Sequence, residues 1–143
     1  MVKLGNLDHV AVIVESAKES LGFYQDVLGM KLTGKAKSKV TGDTYTHLIH
    51  QKEGVYDSHV ELVEVSKKSP LAKAKMANPG INHMAYRVKD IKSTIEDFRR
   101  DGYKILLKPT VIGDITFAYV RTKDNYVFEV MEMPSKYKNS YEV

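Results

Sequence analysis

His9-Val10-Ala11, near the start of the chain, recurs as His83-Met84-Ala85, and at the same spacing Val14 meets Val88, Leu21 meets Ile95 and Tyr24 meets Phe98. With one residue deleted, Gly29-Met30-Lys31-Leu32 then falls on Gly102-Tyr103-Lys104-Ile105. The two copies also end alike, because Val60-Glu61-Leu62-Val63-Glu64-Val65 matches Phe128-Glu129-Val130-Met131-Glu132-Met133 in its order of apolar and acidic positions. An internal repeat of this kind decides the architecture before any single element is assigned. Each half carries one histidine near its start and one glutamate near its end.

Working outward, residues 7–14 are rich in Val and Ile on alternating faces and predict a strand. Ser16-Ala17-Lys18-Glu19 supplies an N-terminal capping box, and the stripe Ala17, Leu21, Tyr24, Leu28 predicts a helix that Gly29 ends. Three strands are expected next, over about 31–38, 44–51 and 58–65, with turns at Thr41-Gly42-Asp43 and Lys52-Glu53-Gly54. The second copy repeats the order: a strand over 81–88, a helix capped by Asp90 with the stripe Ile91, Ile95, Phe98 and the stop Gly102, then strands over about 103–108, 115–121 and 126–133. Lys123-Asp124-Asn125 marks the last turn. The fold class is therefore α+β, a βαβββ module used twice in tandem, at about 5–66 and 80–134. Together these form a single domain over 1–134. The linker 67–79 holds a short helix of its own, with Ser69 as cap, Pro70 at the first helical position and Asn78-Pro79-Gly80 as the stop. The tail 135–143 is polar and without periodicity.

Bulk properties narrow the function classes. At 143 residues the chain suits one compact domain, and a half of about 65 to 70 residues would be marginal alone. It contains no cysteine, so neither a disulfide framework nor a thiolate-bound structural zinc is available, and a metal would have to be held by imidazole and carboxylate. No apolar stretch approaches the roughly 20 residues that span a bilayer, and the first residues lack the apolar core of a signal peptide. The expectation is a cytoplasmic protein without a membrane partner. Lys plus Arg exceed Asp plus Glu by 22 to 18, a formal +4, but the lysines are scattered and predict a solvated surface rather than a nucleic-acid stripe. The excess is still suited to attracting an anionic small molecule.

The candidate ligands follow from strand parity. His9 shares a face with Leu7, Ala11 and Ile13, whereas Val10, Val12 and Val14 point the other way, under the helix. The same parity sets His83 with Ala85, and Glu129 with Val127 and Met131, so each polar group stands alone on a small or apolar face. A buried carboxylate is costly unless paired, and a divalent cation is one partner that makes it tolerable. His9, Glu61, His83 and Glu129 are therefore the expected metal ligands. They suit one octahedral ion of the Co, Ni, Zn, Mn or Fe kind with two positions left for water or substrate. His59 lies on the same face as Glu61 and is its rival. Glu64 and Glu132, on the opposite face, read as solvated. His47 and His50 have opposite parities, so one of them points inward as a group supporting a ligand or as an acid-base group.

The duplicated module, together with Leu7-Asp8-His9-Val10-Ala11, the stretch from Phe23 to Leu32 and Gly80-Ile81-Asn82-His83-Met84-Ala85, resembles the vicinal oxygen chelate superfamily over nearly the whole chain to Met133. That superfamily includes glyoxalase I, methylmalonyl-CoA epimerase, extradiol dioxygenases and the fosfomycin or bleomycin resistance proteins. The resemblance implies paired modules in a curved half-open barrel around one metal, with the four named residues on ligand positions. Val60-Glu61-Leu62-Val63-Glu64-Val65, Ser69-Pro70-Leu71-Ala72-Lys73 and the run from Gly80 to Ile91 are most similar to the epimerases, while the segment from Phe23 to Leu32 and Asp124-Asn125-Tyr126-Val127-Phe128-Glu129 are at least as similar to glyoxalase I. What the resemblance implies is a divalent-metal-dependent isomerase or epimerase that removes a proton next to a carbonyl through an enediolate. Glu129 would be the base, Glu61 the opposite-face partner, and His47 the group standing in for an acid that some epimerases carry on this strand. The implied substrate is a small molecule, a CoA or glutathione thioester. The implied assembly is a homodimer. Lactoylglutathione lyase is the alternative within the class, and a metal-free binding protein of the bleomycin-resistance type is the alternative outside it.

Overall fold

The computed structural model of the chain describes residues 1–49 and 59–134. His50, the expected turn Lys52-Glu53-Gly54 and the tail 135–143 lie outside the described residues. The chain divides into two compact units, His9–Asn82 and Met1–Asp8 together with the chain from His83 onward. Each is built on one βαβββ module.

In the first unit, β1 (Leu7–Ile13) leads to α1 (Ala17–Gly22), then β2 (Lys31–Lys37), β3 (Thr44–Ile49), β4 (His59–Glu64) and the short α2 (Pro70–Lys73). Its strands lie in the order β2-β3-β4-β1, the β1–β4 pair parallel and the others antiparallel. The expected separation of faces is observed. Ala17, Leu48 and Leu62 form a buried cluster against which Val12, Val14, Leu21 and Tyr24 pack, while His9, Ala11 and Ile13 are buried on the other face. The Ser16 hydroxyl accepts the Glu19 N–H at 3.3 Å, as a cap should. Beyond Gly22 the helix departs from expectation. Phe23–Val27 is a π-helical turn, with the Leu28 N–H bonded to the Phe23 carbonyl at 3.2 Å. The extra residue in that turn rotates the stripe, so Leu28 is exposed along with Phe23 and Val27, although Gly29 still terminates the segment with φ +68°.

The second unit repeats the topology. β5 (Gly80–Arg87), α3 (Ile91–Arg100), β6 (Lys104–Ile112), β7 (Ile115–Arg121) and β8 (Val127–Glu132) give the strand order β5-β8-β7-β6, with β5–β8 parallel. Asp90 caps α3 by accepting the Ser93 N–H at 2.9 Å. Ile91, Ile95, Val88, Ala118, Val120 and Val130 form the core under the helix, with Phe98 and Phe128 packed against it. β6 runs four residues past its expected end at 108, through Pro109, with shifts of register on the way. A strand at the end of the order has an unpaired side, where proline displaces no ladder hydrogen bond. Glu132 corrects the solvated reading. Its Oε2 accepts the Ile91 N–H at 2.9 Å and so satisfies the first turn of α3.

The unit boundary falls inside β1 and β5 rather than in the linker, because the N-terminal segment is tied to Arg87. The Gly5 N–H donates to the Arg87 carbonyl at 2.7 Å and the Arg87 N–H to the Asn6 carbonyl at 3.1 Å. The Arg87 guanidinium also meets the Asp8 carboxylate at 2.7 Å, both side chains being buried. A buried charge needs this kind of close partner. No helix among the described residues is long and apolar enough to cross a membrane.

Candidate metal-ligand pairs

Parallel pairing of β1 with β4 sets Ala11 across from Glu61 and His9 across from His59, so the histidine and the glutamate lie one step apart on the same buried face. His9 is 2% and Glu61 4% exposed. The His9 Nε2 stands 3.5 Å from Oε1 of Glu61. Antiparallel pairing of β3 with β4 sets His47 directly across from Glu61, and its Nε2 bonds the other carboxylate oxygen, Oε2. Glu61 thus divides its two oxygens between two imidazoles. The His47 side chain is 34% exposed, so this imidazole reaches from the buried carboxylate to solvent. The parity question is answered for His47, which points onto the ligand face. His59, the rival of Glu61, lies beside it, with its ring centroid 6.2 Å from that of His47.

The second unit builds the corresponding pair from β5 and β8. Their parallel register sets Ala85 across from Glu129 and His83 across from Val127. The His83 Nε2 lies 2.8 Å from Oε2 of Glu129, and both residues are buried, at 2% and 4% exposure. In this state the imidazole Nε2–H donates to the carboxylate. Both pairs lie deep enough that the carboxylates depend on their neighbours rather than on water. Two features escaped the reading of the sequence. Arg87 with Asp8 is one. The other is Tyr119, fully buried and across from Glu129 on β7–β8, whose ring centroid is 5.3 Å from that of His83. The spacing of the repeats gave no signal for it, since their offset falls from 74 between His9 and His83 to 68 between Glu61 and Glu129, and only the register of β7 with β8 sets Tyr119 across from Glu129.

The donor chemistry can be tested against a divalent cation one unit at a time. Imidazole nitrogen and carboxylate oxygen bind such ions at about 2.0–2.2 Å, so two neighbouring ligands on one ion are about 3.0 Å apart at right angles and about 3.4 Å apart at the tetrahedral angle. The observed separations, 2.8 Å for His83 and Glu129 and 3.5 Å for His9 and Glu61, bracket those values. Each pair fits an edge of a metal's coordination shell without rearrangement of its strands.

The sequence profile of the Glyoxalase/Bleomycin resistance protein/Dioxygenase superfamily matches residues 6–130. The chain belongs to this family. Among its relatives, a probable lactoylglutathione lyase of Synechocystis is 31% identical over 95% of this chain and 94% of that protein. The mitochondrial methylmalonyl-CoA epimerase of Dictyostelium discoideum is 23% identical over 92% of this chain and 80% of its own length. Of solved structures, a hypothetical protein of Bacillus halodurans superposes with a TM-score of 0.74 at 29% identity, covering 93% of this chain and 97% of the other. A methylmalonyl-CoA epimerase in complex with methylmalonyl-CoA and NH4+ gives a TM-score of 0.77 at 19% identity, with coverage of 93% and 97%, and so shares the fold. The family and the tandem βαβββ architecture expected from the repeat are both as observed.

Proposed function

We propose that His9, Glu61, His83 and Glu129 together hold one divalent cation and that the protein is a metal-dependent isomerase or epimerase moving a proton next to a carbonyl. The observation that carries this reading is the pair of buried imidazole–carboxylate contacts, one in each repeat, at the spacing of adjacent metal ligands. A bound cation would supply Lewis-acid stabilisation of the negative charge that develops on the substrate oxygen when the proton leaves. The remaining steps fall to the chain's own residues. Glu129 accepts the proton at its carboxylate, since a base in a buried site needs only to be close and correctly oriented when the charge it creates is stabilised elsewhere. Return of a proton from the opposite side requires a second group. Glu61 with His47 is suited to it, because the His47 Nε2 contacts the carboxylate while its ring stays in reach of water.

The substrate class proposed is a small carbonyl compound carried as a thioester, by likeness to the epimerases. Lactoylglutathione lyase is the second reading, favoured by the 31% identity to the probable enzyme of that name in Synechocystis. Protein purified without chelator should carry one divalent ion per chain, and Glu129→Gln and His83→Ala should lose it. With Co(II) or Ni(II) added, solvent proton exchange into methylmalonyl-CoA supports the epimerase, and turnover of the methylglyoxal–glutathione adduct supports the lyase. A parent protein that retains no metal and catalyses neither reaction overturns the proposal in favour of a binding protein.

A further inference from the structure

The two repeats treat their glutamates differently on the neighbouring strand. In the first unit, Glu61 faces His47 across β3–β4, and Tyr45 precedes it on the same face. In the second, Glu129 faces Tyr119 across β7–β8, and Phe117 takes the place of Tyr45. The equivalent position is thus an imidazole 34% exposed in one unit and a phenol ring that is fully buried in the other. Tyr119, Glu129 and Ala85 form one row across β7, β8 and β5, on the face that also carries His83. The Tyr119 ring lies 5.3 Å from the His83 ring, tilted by 57°, and Phe117 braces Tyr119 edge-on at 5.5 Å.

A histidine ring turns easily about its last side-chain torsion, which has only broad preferences. A ligand that turns loses the direction of its lone pair, so the plane of a metal-bound imidazole is normally held by its surroundings. His83 has its carboxylate partner on one side and the Tyr119 ring against it. We infer that Tyr119 is a positioning residue for His83, its buried ring acting as a wall that keeps Nε2 directed at Glu129 and at the cation. The inference rests on the proposed role of His83 as a ligand and deepens it. The inference assigns this role to the ring, and Tyr119→Phe separates the ring from the hydroxyl.

The test uses the full chain with Tyr119→Phe, Tyr119→Leu and Tyr119→Met, and Co(II) alone as the probe. Phe128→Leu serves as a control, since Phe128 belongs to the apolar core on the opposite face of β8. Tyr119→Leu and Tyr119→Met should weaken Co(II) binding at least about 10-fold, while Tyr119→Phe and Phe128→Leu stay within about 2-fold of the parent. Without metal, the His83 Nε2–H proton resonance, sheltered by its bond to Glu129, should persist in Tyr119→Phe and vanish in Tyr119→Leu and Tyr119→Met. Met is included because its flexible side chain fills the same space if Leu does not fold. A parent that binds no Co(II) removes the ligand reading, and the His83 signal then decides the wall by itself. An unchanged His83 signal in Leu and Met overturns the inference, as does unchanged affinity in a parent that binds Co(II). A Tyr119→Phe variant that loses as much as Tyr119→Leu overturns it too, because the hydroxyl would then be the working group.

Discussion

Asp43, in the turn between β2 and β3, is fully buried, and its carboxylate gathers the chain around it. Oδ1 accepts the Ser66 N–H at 2.8 Å and Oδ2 accepts the Ser69 hydroxyl at 2.8 Å, so the turn is bound to the start of the linker some two dozen residues later. The Ser66 hydroxyl returns a bond to the Thr41 carbonyl at 2.9 Å. Gly42 permits this closeness: its φ is +76°, and a Cβ there would lie 2.6 Å from Oγ of Ser66. Burial pushes the Asp43 carboxyl above its ordinary value of 3.8, and the hydrogen bonds from Ser66, Ser69, Thr41 and Tyr45 offset this only in part. A carboxyl raised on folding holds its proton to a higher pH in the native state than in the unfolded chain. Its contribution to stability is therefore complete at pH values below 3.8 and declines as pH climbs from there through the raised native value. Asp43→Asn keeps an acceptor for Ser66 but cannot titrate. The urea midpoint of the parent, relative to that of Asp43→Asn, should fall as pH is raised from 4 to 7, and parallel profiles would refute the assignment.

Among the elements, α3 depends on two acids placed far apart in the chain. Asp90 caps it locally, a relation legible in the sequence from the residue types just before the apolar stripe. Glu132 caps it from the last strand, bonding the Ile91 N–H. That bond is invisible to local patterning, because it exists only once β8 lies beside the strand feeding α3, where the Val88 N–H bonds the Met131 carbonyl at 2.9 Å. Glu132→Ala should cost about 1 kcal/mol, the usual value for a lost helix cap, read as a shift of the urea midpoint with unchanged slope. α1 shows the opposite failure. The spacing of Ala17, Leu21, Tyr24 and Leu28 is helical, but the chain inserts a π-helical turn at Phe23–Val27. The Met30 N–H reaches the Tyr24 carbonyl at 2.9 Å, and Met30 joins the apolar cluster at the point where β2 begins. Side-chain periodicity reports which residues prefer burial; it does not report how the next strand must be aimed.

At the scale of the molecule, each of the two repeats buries an imidazole and a carboxylate, and a cation bound as proposed would stabilise the native state by mass action. Binding to the native state alone adds about 2.7 kcal/mol at one hundred times the dissociation constant. Added Co(II) should raise the melting temperature of the parent, and His9→Ala and His83→Ala should each abolish the rise completely. If each repeat bound its own ion, either variant would keep part of it, and the sharing proposed here would be refuted. The duplicated pattern itself was enough to specify the βαβββ module, its use twice, and the four buried polar residues, because alternation along a strand and a repeat along the chain are one-dimensional signals. What they could not contain is which side chain stands across from which. The pairing of His47 with Glu61, of Tyr119 with Glu129, of Glu132 with the first turn of α3, and of Asp43 with Ser66 and Ser69 depends on strand register and loop closure. Those relations join residues distant in sequence, and only the packing of the folded chain, where a one-residue slip would turn each side chain to the other face, selects them.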